Sequence, residues 1–460
     1  MTDPEGIVTT YTYDRLNQLK SISHPTLGLT SYSYDNASRL ESKTLPNGIV
    51  TSYTFDDANR LKSLVTKHPN QTVLNQFGYT FDKSGNRLTR TTPEGTTTYT
   101  YDDLYQLKTV SAEPESFTYD PVGNRLTDQT GATYTYDDAN RLLSRNGTTY
   151  QHDKNGNQTS DGATTYTYDE ENRLLEVRDE SNQSSVVSFQ YDPFGNRMTK
   201  SVSGQTAYYL YDEEDTIGVF DLQGNPLATI THGPGIDEPL AALSHQPSAV
   251  SYYYSTDGLG SIDALASTTS DVKERYRYAS FGSLTILNDE GQPQSTSVIN
   301  HLNPLYTFTA REHDPESSLD FYRARSYEPS IGRFIQEDPL SLLDHDLSDL
   351  DLNQYLYTHN NPINFTDPEG LRDISILSGF KTQRYTVAIG PGTDGGGGIR
   401  IGNGGRIKTD PTPPYCPFSE DDAPHEILKF CEQLCDSRFD PKKEREAWNE
   451  CFFDCLDSHN

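Results

Sequence analysis

The chain has 460 residues, with 37 Lys and Arg against 67 Asp and Glu and a formal net charge of −30. Apolar residues make up 33%, against roughly 45–50% for an average soluble domain. Such a charge excludes a general nucleic-acid binder, which needs clustered cations to hold phosphate, and no run approaches the ~18–20 apolar residues of a membrane-spanning helix.

Low hydrophobicity with high charge is also the composition of disorder, but here the polar residues recur with a period. The 31 Tyr, beside one Trp and two Met, favour strands over a helical bundle. The first residues, MTDPEGIVTTYTYD, have no basic region followed by an apolar run, so no secretory signal peptide is expected. The reading starts inside a repeat, which implies either export by another route or the tail of a longer product.

The repeat is an aromatic, any residue, an aromatic or His, then Asp and a short turn ending in Arg-Leu. It reads YTYDRLNQL at Tyr11–Leu19, YSYDNASRL at Tyr32–Leu40 and YTFDDANRL at Tyr53–Leu61. Further units start at Tyr79, Tyr99, Phe117, Tyr134, Tyr150, Tyr166 and Phe189, and a decayed YLYD ends at Asp212. The repeat carboxylates are Asp14, Asp35, Asp56, Asp82, Asp102, Asp120, Asp137, Asp153, Asp169, Asp192 and Asp212, spaced 16 to 26 residues apart. Two aromatics two residues apart share one face of a strand. Asp-x-x-Gly-Asn and Asp-x-Ala-Asn are turn sequences, because short polar side chains bond nearby backbone and Gly or Asn accepts positive φ. Two strands of ~6–7 residues and a turn fill this spacing. Each unit is therefore predicted to be a β-hairpin stacked on its neighbours, with the repeat Asp residues as turn formers and not catalysts.

The chain changes after residue 215. YYYSTDGLGSIDAL (Tyr252–Leu265) and RYRYASFGSL (Arg275–Leu284) are followed by YTFTAREHDPESSLDFYRARSYEPSIGRFIQEDPL (Tyr306–Leu340) and NQYLYTHNNPINFTDPEGL (Asn353–Leu371). Taken with the repeats, these segments resemble the YD repeats and associated core of the RHS (rearrangement hot spot) family. That family includes bacterial polymorphic toxins, the C components of insecticidal Tc toxins and the animal teneurins. The resemblance covers about residues 1–371. It implies an all-β fold: hairpins wound into one spiralling sheet that forms a full or partial hollow shell, with the core as a plug and a variable C-terminal segment held inside. Residues 1–215 would be the repeats and 216–371 the core.

The resemblance also implies an intramolecular aspartyl peptidase. The Arg of Arg-x-Tyr-x-Pro falls on Arg325, the Asp of Gly-Arg-Phe-x-x-x-Asp-Pro on Asp338, and the Asp of the closing Asp-Pro-x-Gly-Leu on Asp367. The scissile bond would be Leu371–Arg372. Two carboxylates in one site do not both ionise easily, so one can activate water while the other donates a proton. Arg325 would hold the pair, Gly370 would let the backbone come close, and Pro368 would stiffen the approach. The local sequence by itself also reads as two turn formers and a structural ion pair. Between the two Asp the family has a compact Gly-rich stretch. Here DPLSLLDHDLSDLDLNQYLY is longer, acidic and without Gly, an insertion that would abolish cutting if it displaced Asp367 from Asp338.

Residues 372–420 are rich in Gly and then Pro, the composition of a linker. In residues 421–460, Cys431, Cys435, Cys451 and Cys455 form two C-x3-C pairs. Residues four apart share a helix face, and Asp440-Pro441 is a helix start, so two helices over about 424–437 and 441–457 are predicted. A unit of ~35 residues builds little core and needs staples. A hairpin closed by Cys431–Cys455 and Cys435–Cys451 is the reading carried forward, although spacing does not fix the pairing. A four-thiolate zinc site is the second reading, disfavoured because metal knuckles more often use C-x2-C in turns. Simple core cysteines are the third. No metal and no cofactor are expected.

Two function classes follow. One is a delivery shell whose C-terminal segment is cargo released by self-cleavage after Leu371, acting on a target-cell factor. The other is a secreted or cell-surface structural protein, teneurin-like in adhesion, or a gene fragment, with no cleavage. Secretion machinery or a further shell chain would be partners; nucleic acid and membrane spans would not. Secretion or surface display would follow a route not encoded in this chain. No nuclease, deaminase or ADP-ribosyltransferase signature is legible in the tail.

Overall fold

The computed structural model describes residues 6–112, 114–181, 184–245, 249–299, 303–339 and 353–371, and the backbone of three short strands beyond them. The chain divides into two units, residues 1–384 and 385–460. What is described of the second is one strand pair, Arg400–Ile401 with Gly405–Arg406. Arg372, Cys431, Cys435, Cys451, Cys455 and the helices predicted around them lie outside the described residues.

Among its described residues the first unit is all-β apart from short 3-10 turns, and within its sheets each strand pairs antiparallel with the next in sequence. Eleven strands run from Thr10–Tyr13 to Glu115–Ser116. After two short sheets, fifteen strands run from Gln151–His152 to Pro293–Gln294. Five more, from Leu305–Tyr306 to Arg333–Phe334, make the core sheet. Among the described residues no helix is long and apolar enough to cross a membrane.

The repeat carboxylates close the hairpin turns. Asp35 Oδ1 accepts the N–H of Ala37 at 2.8 Å and of Arg39 at 3.0 Å. The same two bonds recur at Asp56, Asp102, Asp137, Asp169 and Asp192. The residue three after each of these Asp has positive φ, as at Ser38 (63°), Asn140 (62°) and Gly195 (86°). Strand register slips by one residue just before the turn, at Ser33/Tyr34 and Thr135/Tyr136. A turn followed by a left-handed residue and a one-residue bulge is a standard three-residue hairpin connection. The second Asp oxygen meets the side chain four residues on: Arg39 at 2.7 Å, Arg173 at 2.6 Å, or Asn196 at 2.9 Å.

Neighbouring hairpins are tied by the second aromatic of the repeat wherever it is Tyr. The first ring is buried, as at Tyr32, Tyr134 and Phe189. The second lies at the sheet margin and donates its hydroxyl to a carbonyl of the hairpin before it. Tyr34 reaches Leu19 O at 2.9 Å, Tyr136 reaches Arg125 O at 2.8 Å, Tyr168 reaches Gln158 O at 2.6 Å and Tyr191 reaches Leu174 O at 2.8 Å. Burial pushes the Tyr34 phenol up to about 12 and that of Tyr191 higher still, so both remain protonated donors. The turn Arg of the earlier hairpin stacks on the same ring, with Arg173 5.3 Å from the centre of Tyr191 and Arg60 4.8 Å from that of Phe81.

The two long sheets also pack on each other. Leu27, Leu45, Ile49 and Leu74 from the first share a cluster with Ala241, Leu243, Tyr253, Ala264 and Ala266 from the second. Lys43 meets Glu238 at 3.1 Å across this seam, and Gly258 N–H donates to the Tyr79 hydroxyl at 2.9 Å.

The core segment is fastened to the repeat turns by side chains that satisfy their backbone. Asn360 Nδ2 donates to Gly123 O at 2.7 Å, Tyr355 Oη to Gly156 O at 2.9 Å, and Arg333 Nη2 to Asn140 O at 2.7 Å. Asn364 Oδ1 accepts from Arg87 N at 2.7 Å. Arg197 grips Asp314 through both oxygens at 2.9 and 2.8 Å, and Lys200 adds a 3.0 Å contact to the same carboxylate.

Two outcomes are expected. Tyr191→Phe lowers unfolding free energy in urea by about 1 kcal/mol, the net value of one buried hydrogen bond, whereas Tyr13→Phe, 56% exposed, leaves it unchanged within error. Burial raises the Asp128 carboxyl, but hydrogen bonds from the Thr130 and Tyr134 hydroxyls and the N–H groups of Thr130 and Ala132 outweigh it and hold it at about 2, below the usual 3.8. Its stabilisation is present above pH 4 and lost as pH falls towards 2. Urea titrations at pH 7 and pH 2 should show a smaller acid loss for Asp128→Asn than for the wild type.

Candidate active site

The site begins with a tight hairpin. Strand Leu319–Tyr322 pairs with Arg325–Glu328, with Tyr322 opposite Arg325 and only Arg323 and Ala324 in the turn. The rings of Tyr322, Tyr327, Phe334 and Tyr357 are buried together, and Tyr327 and Tyr357 stack 4.6 Å apart. Edge-to-face and tilted aromatic packing gives this platform a fixed shape. Arg325 lies on it, its guanidinium carbon 3.7 Å from the centre of the Phe334 ring.

Arg325 also reaches three of the sequence-predicted residues and Gln354. Nε donates to Gly370 O at 2.5 Å and Nη1 to Gln354 O at 2.8 Å. Nη2 lies 3.1 Å from Asp338 Oδ2 and 3.4 Å from Asp367 Oδ2. The side chains of Arg325 and Asp367 are buried, and that of Asp338 is 20% exposed. Asp338 and Asp367 thus meet on one guanidinium nitrogen. The acidic stretch between them, of which 340–352 lie outside the described residues, does not keep them apart.

Asp367–Leu371 is built as a repeat turn. Asp367 Oδ1 accepts the Leu371 N–H, four residues on, at 2.9 Å. Gly370, three residues on, has φ +69°. A Cβ at Gly370 would stand 2.5 Å from Tyr322 O and 3.2 Å from Arg325 N, so only glycine lets the loop lie against the hairpin. Ala324 N–H donates to Glu369 O at 3.1 Å.

In this arrangement Leu371 is held through its N–H by one carboxylate, beside a second carboxylate and a fixed guanidinium. Arg325, bound to two carbonyls as well, cannot swing away from the pair. A cation against two acids favours ionisation of one while their mutual repulsion favours a proton on the other. The arrangement can therefore supply a base and an acid beside the Gly370 carbonyl and the Leu371 N–H, one residue before the predicted scissile bond. The partner of Leu371 in that bond, Arg372, is outside the described residues. Among the described residues no cluster of His, Cys, Asp and Glu forms a metal site.

Sequence reasoning placed Arg325, Asp338 and Asp367 but missed Phe334, Ala324 and Gln354. Phe334 carried a signal, its place in Gly-Arg-Phe. Ala324 and Gln354 act through main-chain atoms, which leave no mark on side-chain type.

Comparison with known proteins adds the following. A family profile described as teneurin YD-shell matches residues 83–363, and one described as RHS repeat matches residues 34–73. The chain is 30% identical over 265 residues to the tRNA nuclease WapA of Bacillus subtilis strain 168, covering 55% of this chain and 11% of that protein. It is 25% identical to double-stranded DNA deaminase toxin A of Burkholderia cenocepacia strain H111, over 64% of this chain and 22% of that one. Its fold is similar to a chain in the crystal structure of TcdB2-TccC3-Cdc42, with a TM-score of 0.65 at 19% identity, over 83% of this chain and 21% of that one. The chain thus spans about a tenth to a fifth of the length of these proteins.

Gly370→Ala is expected to lower unfolding free energy in urea by about 1–3 kcal/mol more than Gly147→Ala. Both positions have positive φ, but a Cβ at Gly147 meets nothing within 4 Å, so the difference isolates the clash with Tyr322.

Proposed function

Because this chain belongs to the teneurin YD-shell family of RHS-repeat proteins, we propose that it is part of a toxin-delivery shell that releases its C-terminal segment by one intramolecular cut after Leu371. The observation that carries this reading is the meeting of Asp338, Asp367, the Gly370 carbonyl and Arg325 at the end of the core. Residues 1–215 supply the repeats, 216–371 the core and cleavage site, 372–420 a linker, and 421–460 a Cys-rich effector segment. Two relatives with unlike activities, a tRNA nuclease and a DNA deaminase, match this chain, which suits a common scaffold with exchangeable cargo. The protein would act outside the cell that makes it.

The chemistry is peptide hydrolysis. The ionised carboxylate of the pair takes a proton from water as its oxygen adds to the Leu371 carbonyl carbon. The protonated carboxylate gives its proton to the leaving nitrogen of Arg372. The carbon–nitrogen bond breaks, leaving an amine on Arg372 and a carboxylic acid on Leu371 that loses its proton to solvent, and the two carboxyl groups of the pair have exchanged protonation states. Arg325 fixes the two acids and keeps one ionised. The substrate is tethered, so proximity comes from the fold and not from a binding pocket.

Intact mass of freshly purified, denatured and reduced protein tests this. The wild type should give two species split between Leu371 and Arg372, and Asp338→Asn and Asp367→Asn should each give one. A single uncut species from the wild type would leave a non-enzymatic repeat scaffold as the better account.

A further inference from the structure

The three carbonyls before the scissile bond are held by three consecutive residues. Arg323 Nη1 donates to Pro368 O at 2.5 Å, Ala324 N to Glu369 O at 3.1 Å and Arg325 Nε to Gly370 O at 2.5 Å. Arg323 and Ala324 are the whole turn of a two-residue hairpin, and Arg323 has φ +57°. That position favours Gly or Asn. Here the position is taken by a long side chain that reaches the loop at Pro368.

Arg323 is itself anchored outside the five-stranded core sheet. Its Nη2 donates to Asp237 Oδ1 at 2.9 Å, and its Nε lies 3.4 Å from Glu214 Oε2. Asp237 lies in the turn between strands Pro226–His232 and Pro239–Ser244, and Glu214 in the turn between Gln205–Asp212 and Asp215–Phe220. Both turns belong to the fifteen-stranded repeat sheet. Asp237 is buried and also takes Arg311 Nη1 at 2.5 Å, while Arg311 holds Phe321 O with Nε and Nη2 at 2.9 and 2.7 Å. One carboxylate of the fifteen-stranded sheet therefore fixes both Arg323 in the hairpin turn and Arg311, which holds the hairpin's first strand.

We propose that Arg323 is a positioning residue for the cut. It sets the loop at Pro368 only while Asp237 and Glu214 hold it, so the scissile bond comes into place when the repeat sheet has closed on the core. This rests on the cleavage reading above. It adds a dependence of cutting on shell assembly, which keeps the segment attached until the repeats around the core are folded.

The test uses the full chain and two readouts. Cut fraction is followed by intact mass in Arg323→Gln, Arg323→Lys, Asp237→Ala and Lys200→Met. Hydrogen exchange of the Gly370 and Leu371 amides is measured for the same four changes in the uncut Asp338→Asn chain. Arg323→Gln and Asp237→Ala should slow cutting and speed exchange of these amides, each by about tenfold, with Arg323→Lys restoring part of both. Lys200→Met breaks another buried tie between repeats and core; it should lower the melting midpoint and leave both readouts near wild type. Exchange that is unchanged in Arg323→Gln and Asp237→Ala, or faster to the same degree in Lys200→Met, overturns the proposal. A wild type that stays uncut removes the cleavage reading, and the exchange measurement still decides whether Arg323 holds the loop.

Discussion

A carbonyl left unpaired where one hairpin gives way to the next must be met by a side chain from the following element, and this requirement organises the whole first unit. Within a sheet the ladder satisfies the backbone, but at the turn margin it stops. The second Tyr of a repeat closes the gap between hairpins, as Tyr136 does for Arg125 O and Tyr191 for Leu174 O. Where the core segment covers the turns instead, Asn360, Tyr355 and Arg333 take over the same task. At the candidate active site Arg323 and Arg325 do it once more, on Pro368 O and Gly370 O. The repeats, the docking of the core and the grip on the loop before Leu371 are thus one kind of bond used in three places.

The candidate site is also a repeat turn with one residue changed. In the repeats the turn Asp spends Oδ1 on the backbone four residues later and Oδ2 on the side chain there, Arg39 or Asn196. Asp367 keeps the first bond, to Leu371 N, and the left-handed Gly370. A leucine offers nothing to Oδ2, so that oxygen is left for Arg325 and for the neighbourhood of Asp338. A turn former and a candidate catalytic carboxylate are therefore the same group in two contexts. The two readings of Asp367 that its local sequence allows describe one geometry.

The composition follows from the same architecture. One layer of sheet has much surface and little core, so an apolar content of 33% is enough. The largest cluster runs along the sheet, drawing a few residues from each of successive strands, such as Tyr166, Leu174 and Phe189. Charged groups are then drawn into the interface between core and repeats. Buried charges are tolerated there because they are paired and hydrogen-bonded, as Arg197 and Lys200 are on Asp314. Removing one partner would leave the other desolvated, which makes these contacts markers of correct docking.

The periodic aromatic pair, the Asp turn and the all-β class were legible from the residues, because strand alternation and turn chemistry are local and repeat eleven times. The choice of Arg325, Asp338 and Asp367 rested on resemblance, since each alone reads as an ordinary turn or ion pair. What sequence could not supply was the convergence. Asp338 and Asp367 stand 29 positions apart, across an acidic insertion that by itself suggests separation, and they meet because both chain segments are docked independently on the Tyr322–Phe334 platform. The role of Asp237 was equally invisible: it lies in a loop 86 residues before Arg323 with no motif around it. Local chemistry determines which residues turn and which residues pair along a strand. Only the winding of the sheet against the core decides which distant carboxylates, guanidinia and carbonyls share one site, because that depends on contacts whose partners sequence spacing does not encode.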